Sequence, residues 1–478
     1  MRRFFDYPHA RWILPLFVLS VAVWFVLAFR VVRSNDRMER IASADGGDPV
    51  AVRVVPGSSY FFTWGVTANP RSRVIAMRSL PEDERYGDTY TQAHGVLQQL
   101  TLDLSEVGLT LRDVAHVRAY VVGDAENPPD FDGWDRAFNE FFGTATMPHR
   151  PARTTVGISR LFINAYRIEV EFVAVIPDGR GPFVAGSVPA REYERSGRTE
   201  TNEAWRSYGR LRWPMSTGKA VDAGHAILFS AGMLATPMNP RMPEARWLYG
   251  RVDAQAASIL RKGEGILQEA GLTYADVFFM RTIMFPERNV GIGRNFGIFN
   301  REYSRFLNNP ENPNKPTRTV MSAPGYTYRG QLMALEMFAL FSPSNQPSFE
   351  SGPLVGFGTG SVVGPAAVAV DAFAGHYWLS GVSVPDATGM SLEEEYRAAF
   401  AELEARLQRF GAGPQDVATL RAYIAADVPE AEAVAAWRSV ANEWFEGLAP
   451  GPAVTLMPVV ALPGGARVLL ESFAAVRP

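Results

Sequence analysis

The chain has 478 residues, too many for one ordinary core, and this length predicts two to four domains. With 47% hydrophobic and 20% charged residues it reads as folded protein, and a net charge of -3 predicts no strong attraction to nucleic acid. It contains no cysteine, which excludes disulfides and thiol catalysis without identifying a compartment.

The first forty residues (1–40) read as a membrane anchor and its flank. WILPLFVLSVAVWFVLAF, residues 12–29, carries no charge. As a helix at about 1.5 Å per residue it would span roughly 27 Å, close to a bilayer core. A cleaved signal peptide would have a shorter apolar core followed at once by small residues, whereas FRVVRS follows here. The expectation is an uncleaved single-pass anchor. Arg2, Arg3 and Arg11 precede the run and Arg30, Arg33, Arg37 and Arg40 follow it, so the arginine count leaves the side open. A short Arg-bearing tail kept inside would put the large domain on the periplasmic side.

The rest of the chain repeats one unit, over 50–177, 211–341 and 354–478, with linkers at 178–210 and 342–353. Strand-like runs around YFFTWG, AILFSAG and YWLSG open the copies. A helical pattern follows in each and stops at Gly108, Gly271 and Gly411, as left-handed C′ glycines would stop it. Five residues later stand Asp113, Asp276 and Asp416, and five further Arg118, Arg281 and Arg421. The third helix is the clearest. Ser391 and Glu394 form a capping-box pattern, Leu392, Tyr396, Phe400, Leu403 and Leu407 share one face, and Glu402 and Arg406 pair at i,i+4. A strand, a second helix (GWDRAFNEFF, FGIFNREYSRFL, AVAAWRSVANEWFEG) and a closing strand (RIEVEFVAV, LMALEMFAL, RVLLESFAAV) complete each unit. The predicted fold is α+β, with helices on one face of each sheet and the other faces covering one another around an intrachain pseudo-threefold axis. GFGTGSVVG, residues 356–364, lacks a P-loop lysine and fails the dinucleotide register, so it reads as a flexible lead-in to the third copy. The six histidines show no metal-ligand spacing, and no cofactor or metal is expected.

These units resemble the RidA superfamily, the YjgF-like reactive-intermediate deaminases with a chorismate-mutase-like fold. The resemblance rests on Ser380-Gly381 after an apolar strand (Ala231-Gly232 and Trp64-Gly65 elsewhere) and on the Gln that opens the first helix, Gln92 and Gln255. It also rests on the glycine-to-Asp-Val turn, on Pro151-Ala152-Arg153, and on the ending LPGGARVLLESFAAV. Family members are homotrimers with clefts between subunits, and they hydrolyse enamines or imines of small 2-amino acids. The resemblance implies that Arg153, and Arg318 in the second copy, hold a substrate carboxylate, while Val454 replaces them in the third. It implies that Glu169 places or activates water, with Ala334 and Leu469 at its position in the other copies, and that Asn300 contacts ligand where Asp135 and Arg438 stand elsewhere. A guanidinium can grip a carboxylate bidentately, and a nearby carboxylate can orient or deprotonate water. The expected catalytic pair is therefore Arg153 and Glu169.

Glu169 and Glu171 alternate onto one strand face. Glu171 has counterparts, Glu336 and Glu471, in copies that lack the rest of the pair, which favours interface pairing with arginines over catalysis. The anchor and the loss of the Arg–Glu pair from two copies favour a largely non-catalytic accessory or scaffold subunit. Its expected partner is an integral-membrane protein complex, energy-converting complexes being one such host. The alternatives are a single-site deaminase of small 2-imino acids and a protein that binds a small carboxylate such as a 2-oxo acid.

Overall fold

Each helix–strand–helix–strand run builds a sheet whose first strands come from one stretch of chain and whose last two come from another. The computed structural model describes residues 37–477 apart from 43–48, 50, 69–84, 125, 162–164, 178–204, 209–217, 222–223, 244–245, 286–291, 324–329, 342–344, 351–352, 360–364, 385–386 and 449–450. The apolar run 12–29 lies outside the described residues, among which no helix is long and apolar enough to cross a membrane.

The fold is α+β, with three seven-stranded sheets. The first runs in the order Ala152–Ile158, Val114–Val122, Ile168–Ile176, Ser59–Thr63, Gly218–Val221 and Trp205–Tyr208, with Val66–Thr67 added to Ile168–Ile176. The second runs Thr317–Ser322, Val277–Met284, Met333–Leu340, Ile227–Ser230, Pro365–Val370 and Leu354–Thr359. The third runs Ala453–Val459, Val417–Ala425, Val468–Val476, Gly375–Leu379, Ala51–Val54 and Met38–Ile41. The expected helices are Thr89–Glu106, Phe131–Phe141, Val252–Glu269, Ile292–Tyr303, Leu392–Gln408 and Glu430–Phe445.

The last two strands of every sheet depart from the sequence boundaries. Trp205–Tyr208 falls in the expected linker, and with Gly218–Val221 it joins the first sheet. Leu354–Thr359 and Pro365–Val370 join the second sheet, not the third, so the first part of the GFGTGSVVG segment is strand and not flexible lead-in. Met38–Ile41 and Ala51–Val54 join the third. Each hairpin thus precedes one repeat and completes the sheet of another. Short strands of this kind pair wherever an edge offers unsatisfied N–H and C=O groups.

Repeated residues do repeated work. Gly108, Gly271 and Gly411 adopt φ of +73°, +71° and +75°, which ends each first helix. Asp113, Asp276 and Asp416 accept the amides of Thr110, Thr273 and Gly413 at 2.8, 2.8 and 2.9 Å, closing a single 3-10 turn. Gln92 and Gln255 donate to Ala165 O and Gly330 O and accept from Arg167 N and Leu332 N, tying helix to closing strand. Glu395 does the same in the third copy, taking Arg467 N at 2.8 Å and Arg467 Nε at 2.7 Å. The Ser391–Glu394 capping box and the Glu402–Arg406 pair are present.

Three apolar cores lie between a sheet and its own two helices. A fourth joins the opposite faces of all three sheets, with Tyr60, Phe62, Phe229, Phe278, Phe338, Trp378 and Phe473 among its members. Next to it the repeated arginines and glutamates alternate in a closed ring. Arg118 binds Glu171 and Glu471, Arg281 binds Glu171 and Glu336, and Arg421 binds Glu336 (2.8 Å) and Glu471 (2.7 Å). All six are buried. Burial alone would raise the Glu336 carboxyl, but Arg421 and Arg281 outweigh it and hold the group at about 2. Thr319 and Thr455 donate to Glu171 and Glu336, each at 2.6 Å. The expectation that Glu171 serves pairing between units agrees with this arrangement.

Candidate functional site

The Pro-Ala-Arg segment and its counterparts lie on the outermost strand of each sheet, so one side of that strand is open to a neighbouring repeat. At the first such edge Arg153 N donates to Ser380 Oγ and Gly381 N donates to Arg153 O, both at 3.0 Å. At the second, the Val320 amide, two residues beyond Arg318, lies close enough to Glu169 to pull its carboxyl down. At the third, a Cβ on Gly232 would lie 2.7 Å from Thr455 Cγ2, next to Val454. Each cleft therefore combines an arginine-position strand from one repeat with a Gly and glutamate-position strand from another. The combinations are Arg153 with Leu469, Arg318 with Glu169, and Val454 with Ala334.

This arrangement corrects the expected Arg153–Glu169 pair. Arg153 is in register with Val117 and Phe172, while Glu169 is in register with Tyr120 and Val156. Odd spacing along the shared strand puts the two on opposite faces of one sheet. Arg153 points to the helix side, where its guanidinium pairs with Asp135 and stands 4.6 Å from the Phe138 ring centroid. A carboxylate ligand would have to displace Asp135. Glu169 points to the other face, beside Glu171.

Arg318 is different. Its side chain is 2% exposed, and none of its three guanidinium nitrogens has a hydrogen-bond partner among the described residues. It is held in a cage of rings from the Ile292–Tyr303 helix. Its Cζ lies 5.0 Å from the centroid of Phe296, 5.6 Å from Phe299 and 5.0 Å from Tyr303. Burial pulls the guanidinium down to about 10, with the Tyr303 phenol opposing. Cation–π attraction offsets part of the desolvation but satisfies no N–H. Asn300 lies on the same helix, one turn from both Phe296 and Tyr303, and its Oδ1 is buried without a partner, as is Asn295 Nδ2. In the first repeat the residue at the Asn300 position is the Asp135 that neutralises Arg153. Asp135 supplies Arg153 with a carboxylate, and Asn300 at the matching position has none to offer Arg318.

Glu169 occupies a space that exists because residue 65 has no side chain. A Cβ on Gly65 would fall 1.7 Å from Glu169 Oε1. Burial drives the carboxyl well above the ordinary glutamate range, and the Glu171 charge adds to this. The Val320 amide and Arg281 oppose it without prevailing. The Glu169 carboxyl is thus biased towards the protonated form relative to an ordinary glutamate. In the third repeat Val454 and Leu469 are buried and apolar, Leu469 Cδ2 lies 2.9 Å from a Cβ built on Gly381, and Arg438 is exposed.

The aromatic cage was missed by sequence reasoning although FGIFNREY spells it at i, i+3 and i+7, one face of a helix. Among the described residues no group of His, Asp and Glu could hold a metal ion.

Comparison with known proteins adds a class and then a family. Residues 79–176 match the family model described as Endoribonuclease L-PSP. The RutC family protein of Haemophilus influenzae is 33% identical over 103 residues, which is 22% of this chain and 70% of that protein. A solved YjgF/YER057c/UK114 family member from Mycobacterium tuberculosis is 20% identical, with a TM-score of 0.18 over 29% of this chain and 98% of that one. TdcF from E. coli with bound serine is also 20% identical, with a TM-score of 0.20 over 25% of this chain and 87% of that one. These place residues 79–176 in a class of α+β domains. The chain belongs to the RidA/YjgF family, also described as endoribonuclease L-PSP.

Proposed function

We propose that this chain is a membrane-tethered, largely non-catalytic RidA-like accessory protein that binds a small carboxylate at Arg318. The observation that carries the reading is the buried guanidinium of Arg318, which lacks any hydrogen-bond partner among the described residues while its counterpart Arg153 is occupied by Asp135. A partnerless buried cation is costly unless something anionic comes to it. A planar carboxylate with a short apolar tail, such as a 2-oxo acid, matches both the guanidinium fork and the rings of Phe296 and Tyr303. Three tandem units in an intrachain pseudo-trimer are supported by three sheets of equal strand order, by the exchanged hairpins and by the closed ion ring. The tether is supported by the uncharged run 12–29. Docking on an integral-membrane complex, energy-converting ones included, would give such a protein a fixed position and a high effective concentration.

Titration calorimetry of the detergent-solubilised chain with 2-oxobutanoate tests the binding claim. One site is expected, lost in Arg318→Met and kept in Arg153→Met. Binding that survives Arg318→Met would sink it. Gentle solubilisation and pull-down tests the partner, and recovery of the chain alone would remove that part.

The second reading is a deaminase, and one observation favours it: the Glu169 carboxyl, raised by burial, lies by the Val320 amide two residues from Arg318. Its active pair would be Arg318 and Glu169 at the junction of the first and second repeats, not Arg153 and Glu169. It expects 2-iminobutanoate generated in situ to release ammonia faster with protein than without, and Arg318→Met and Glu169→Gln each to abolish the difference.

A further inference from the structure

Apart from the clefts, the described surface carries one segment that holds apolar side chains out into solvent by design of its hydrogen bonds. It joins Met233–Leu234 to the Val252–Glu269 helix. Met238 is 69% exposed, Leu248 64% and Met242 41%, and Pro240 and Pro243 are exposed with them. An unsupported loop would fold such residues inward. Here the backbone prevents it. Met238 N donates to Leu248 O at 2.7 Å, so the two exposed residues face across a tied neck. The Asn239 side chain is a strut, donating from Nδ2 to Arg246 O at 2.9 Å and accepting Leu248 N at 2.7 Å. Trp247 Nε1 donates to Met242 O at 2.9 Å, while Tyr249 is buried and anchors the base in the second core. Gly250 turns the chain at φ +76°, and a Cβ there would fall 2.9 Å from Met238 Sδ.

Arg241, Arg246 and Arg251 are exposed around this tip. Glu244, the one acid of the loop sequence, lies outside the described residues. Apolar side chains ringed by guanidinium groups match an anionic bilayer surface, where Met, Leu and Trp enter the headgroup–acyl boundary and arginines meet lipid phosphates. The tether proposed for residues 12–29 would keep such a surface within reach of the whole body. We infer that loop residues 236–243 and 246–251 form a second membrane contact, a peripheral foot that inserts Met238, Met242 and Leu248 into an anionic leaflet and fixes the orientation of the body against it. The inference goes beyond the carboxylate-binding reading and is independent of Arg318.

Because the chain has no cysteine, a single introduced one can be labelled cleanly. The full chain carrying Met242→Cys with a bimane label is reconstituted into phosphatidylcholine vesicles with and without phosphatidylglycerol, each doped with shallow nitroxide lipids. Leu102→Cys serves as the control, since Leu102 is 58% exposed on the distant Thr89–Glu106 helix. The expected result is a blue shift and quenching of the Met242 label on phosphatidylglycerol vesicles, reversed by high salt and by R241E/R246E, with the Leu102 label unaffected. A Met242 label as water-exposed as the Leu102 label on those vesicles would overturn the inference. So would shielding in native membranes that is missing from protein-free vesicles, since that would assign the loop to a protein partner. Alkaline extraction of the same vesicles reports the tether separately, so failure of the tether and failure of the foot are distinguishable.

Discussion

Arg318→Met should make the protein more stable and less responsive to ligand at once. The magnitude follows from the surroundings of the guanidinium. Burial lowers it from an ordinary 12.5 to about 10. Such a drop corresponds to roughly 3 kcal/mol of unfavourable desolvation carried at neutral pH, where the group is still charged. Three aromatic rings within 6 Å repay about 0.5–2 kcal/mol. Methionine of similar length fills the cage with no charge, and its sulfur packs well against rings. The expected net gain is about 1–2 kcal/mol. Urea unfolding followed by one fluorescence probe would show it as a higher midpoint with unchanged slope. Adding 2-oxobutanoate should raise the parent's unfolding free energy by about 2.7 kcal/mol at a hundredfold excess over Kd, moving its midpoint up, and leave the variant's in place. A variant clearly less stable than the parent would mean that the guanidinium has a partner that the reasoning denies it. A variant still stabilised by the ligand would move the carboxylate site elsewhere.

Arg281→Met in the ion ring should behave oppositely. It leaves Glu171 and Glu336 short of a partner at buried positions and should cost about 3–5 kcal/mol, with Glu336→Gln added to it recovering much of the loss, both read as urea midpoints. Acid should act on the same ring: Glu336 is held at about 2, so its contribution is present above the ordinary glutamate range and is lost as pH falls from about 4.5 through about 2, which melts across that window would show. Glu169 has the other sign. Its raised value means that stability is full below the ordinary glutamate range and declines as pH rises through its folded value, so Glu169→Gln should flatten the fall in melting temperature as pH rises above the ordinary glutamate range, and an unchanged slope would refute this. Asp135→Asn removes the carboxylate paired with Arg153 and, as the pair is half exposed, should lower the unfolding free energy by less than about 1 kcal/mol in urea.

Much of this was legible in the residues, and what was not has a physical reason. The Gly-Asp-Arg spacing gives the glycine that ends the helix, the aspartate that closes the 3-10 turn and the arginine that enters the ring, because all three roles are local or sit on one strand face. Alternation also put Glu169 and Glu171 on one face correctly. The partner of each arginine was not legible. It depends on which repeat lies beside which edge, and that order is fixed by long-range contacts such as Gly381 N to Arg153 O. The hairpin exchange was hidden for a related reason. Trp205–Tyr208 is four residues long, too short to show a period, and its pairing edge belongs to another repeat. The neutralisation of Arg153 could have been read from Asp135 at the position that holds Asn300 in the next copy.

Three sheets of one strand order stand in one chain, with some positions that recur and others that differ. Each ring arginine bridges two glutamates from two repeats, so any one of the six charges is felt by two neighbours and, through them, by all three sheets. Removing one leaves two buried neighbours each with one partner where it had two, and the ring open. Glu169, Ala334 and Leu469 sit outside the ring at three different junctions, Glu169 against Gly65 and Leu469 against Gly381. In a homotrimer one substitution would change all three clefts together, whereas here Asp135, Asn300 and Arg438 can set three different fates for the facing position. Arg281 and Arg318 stand on neighbouring strands of one sheet, both buried, one held by two glutamates and the other with no hydrogen-bond partner among the described residues. Their opposite expected responses to the same substitution follow from that difference alone, so a like response from both would undo the distinction between the ring as structure and the Arg318 cleft as function.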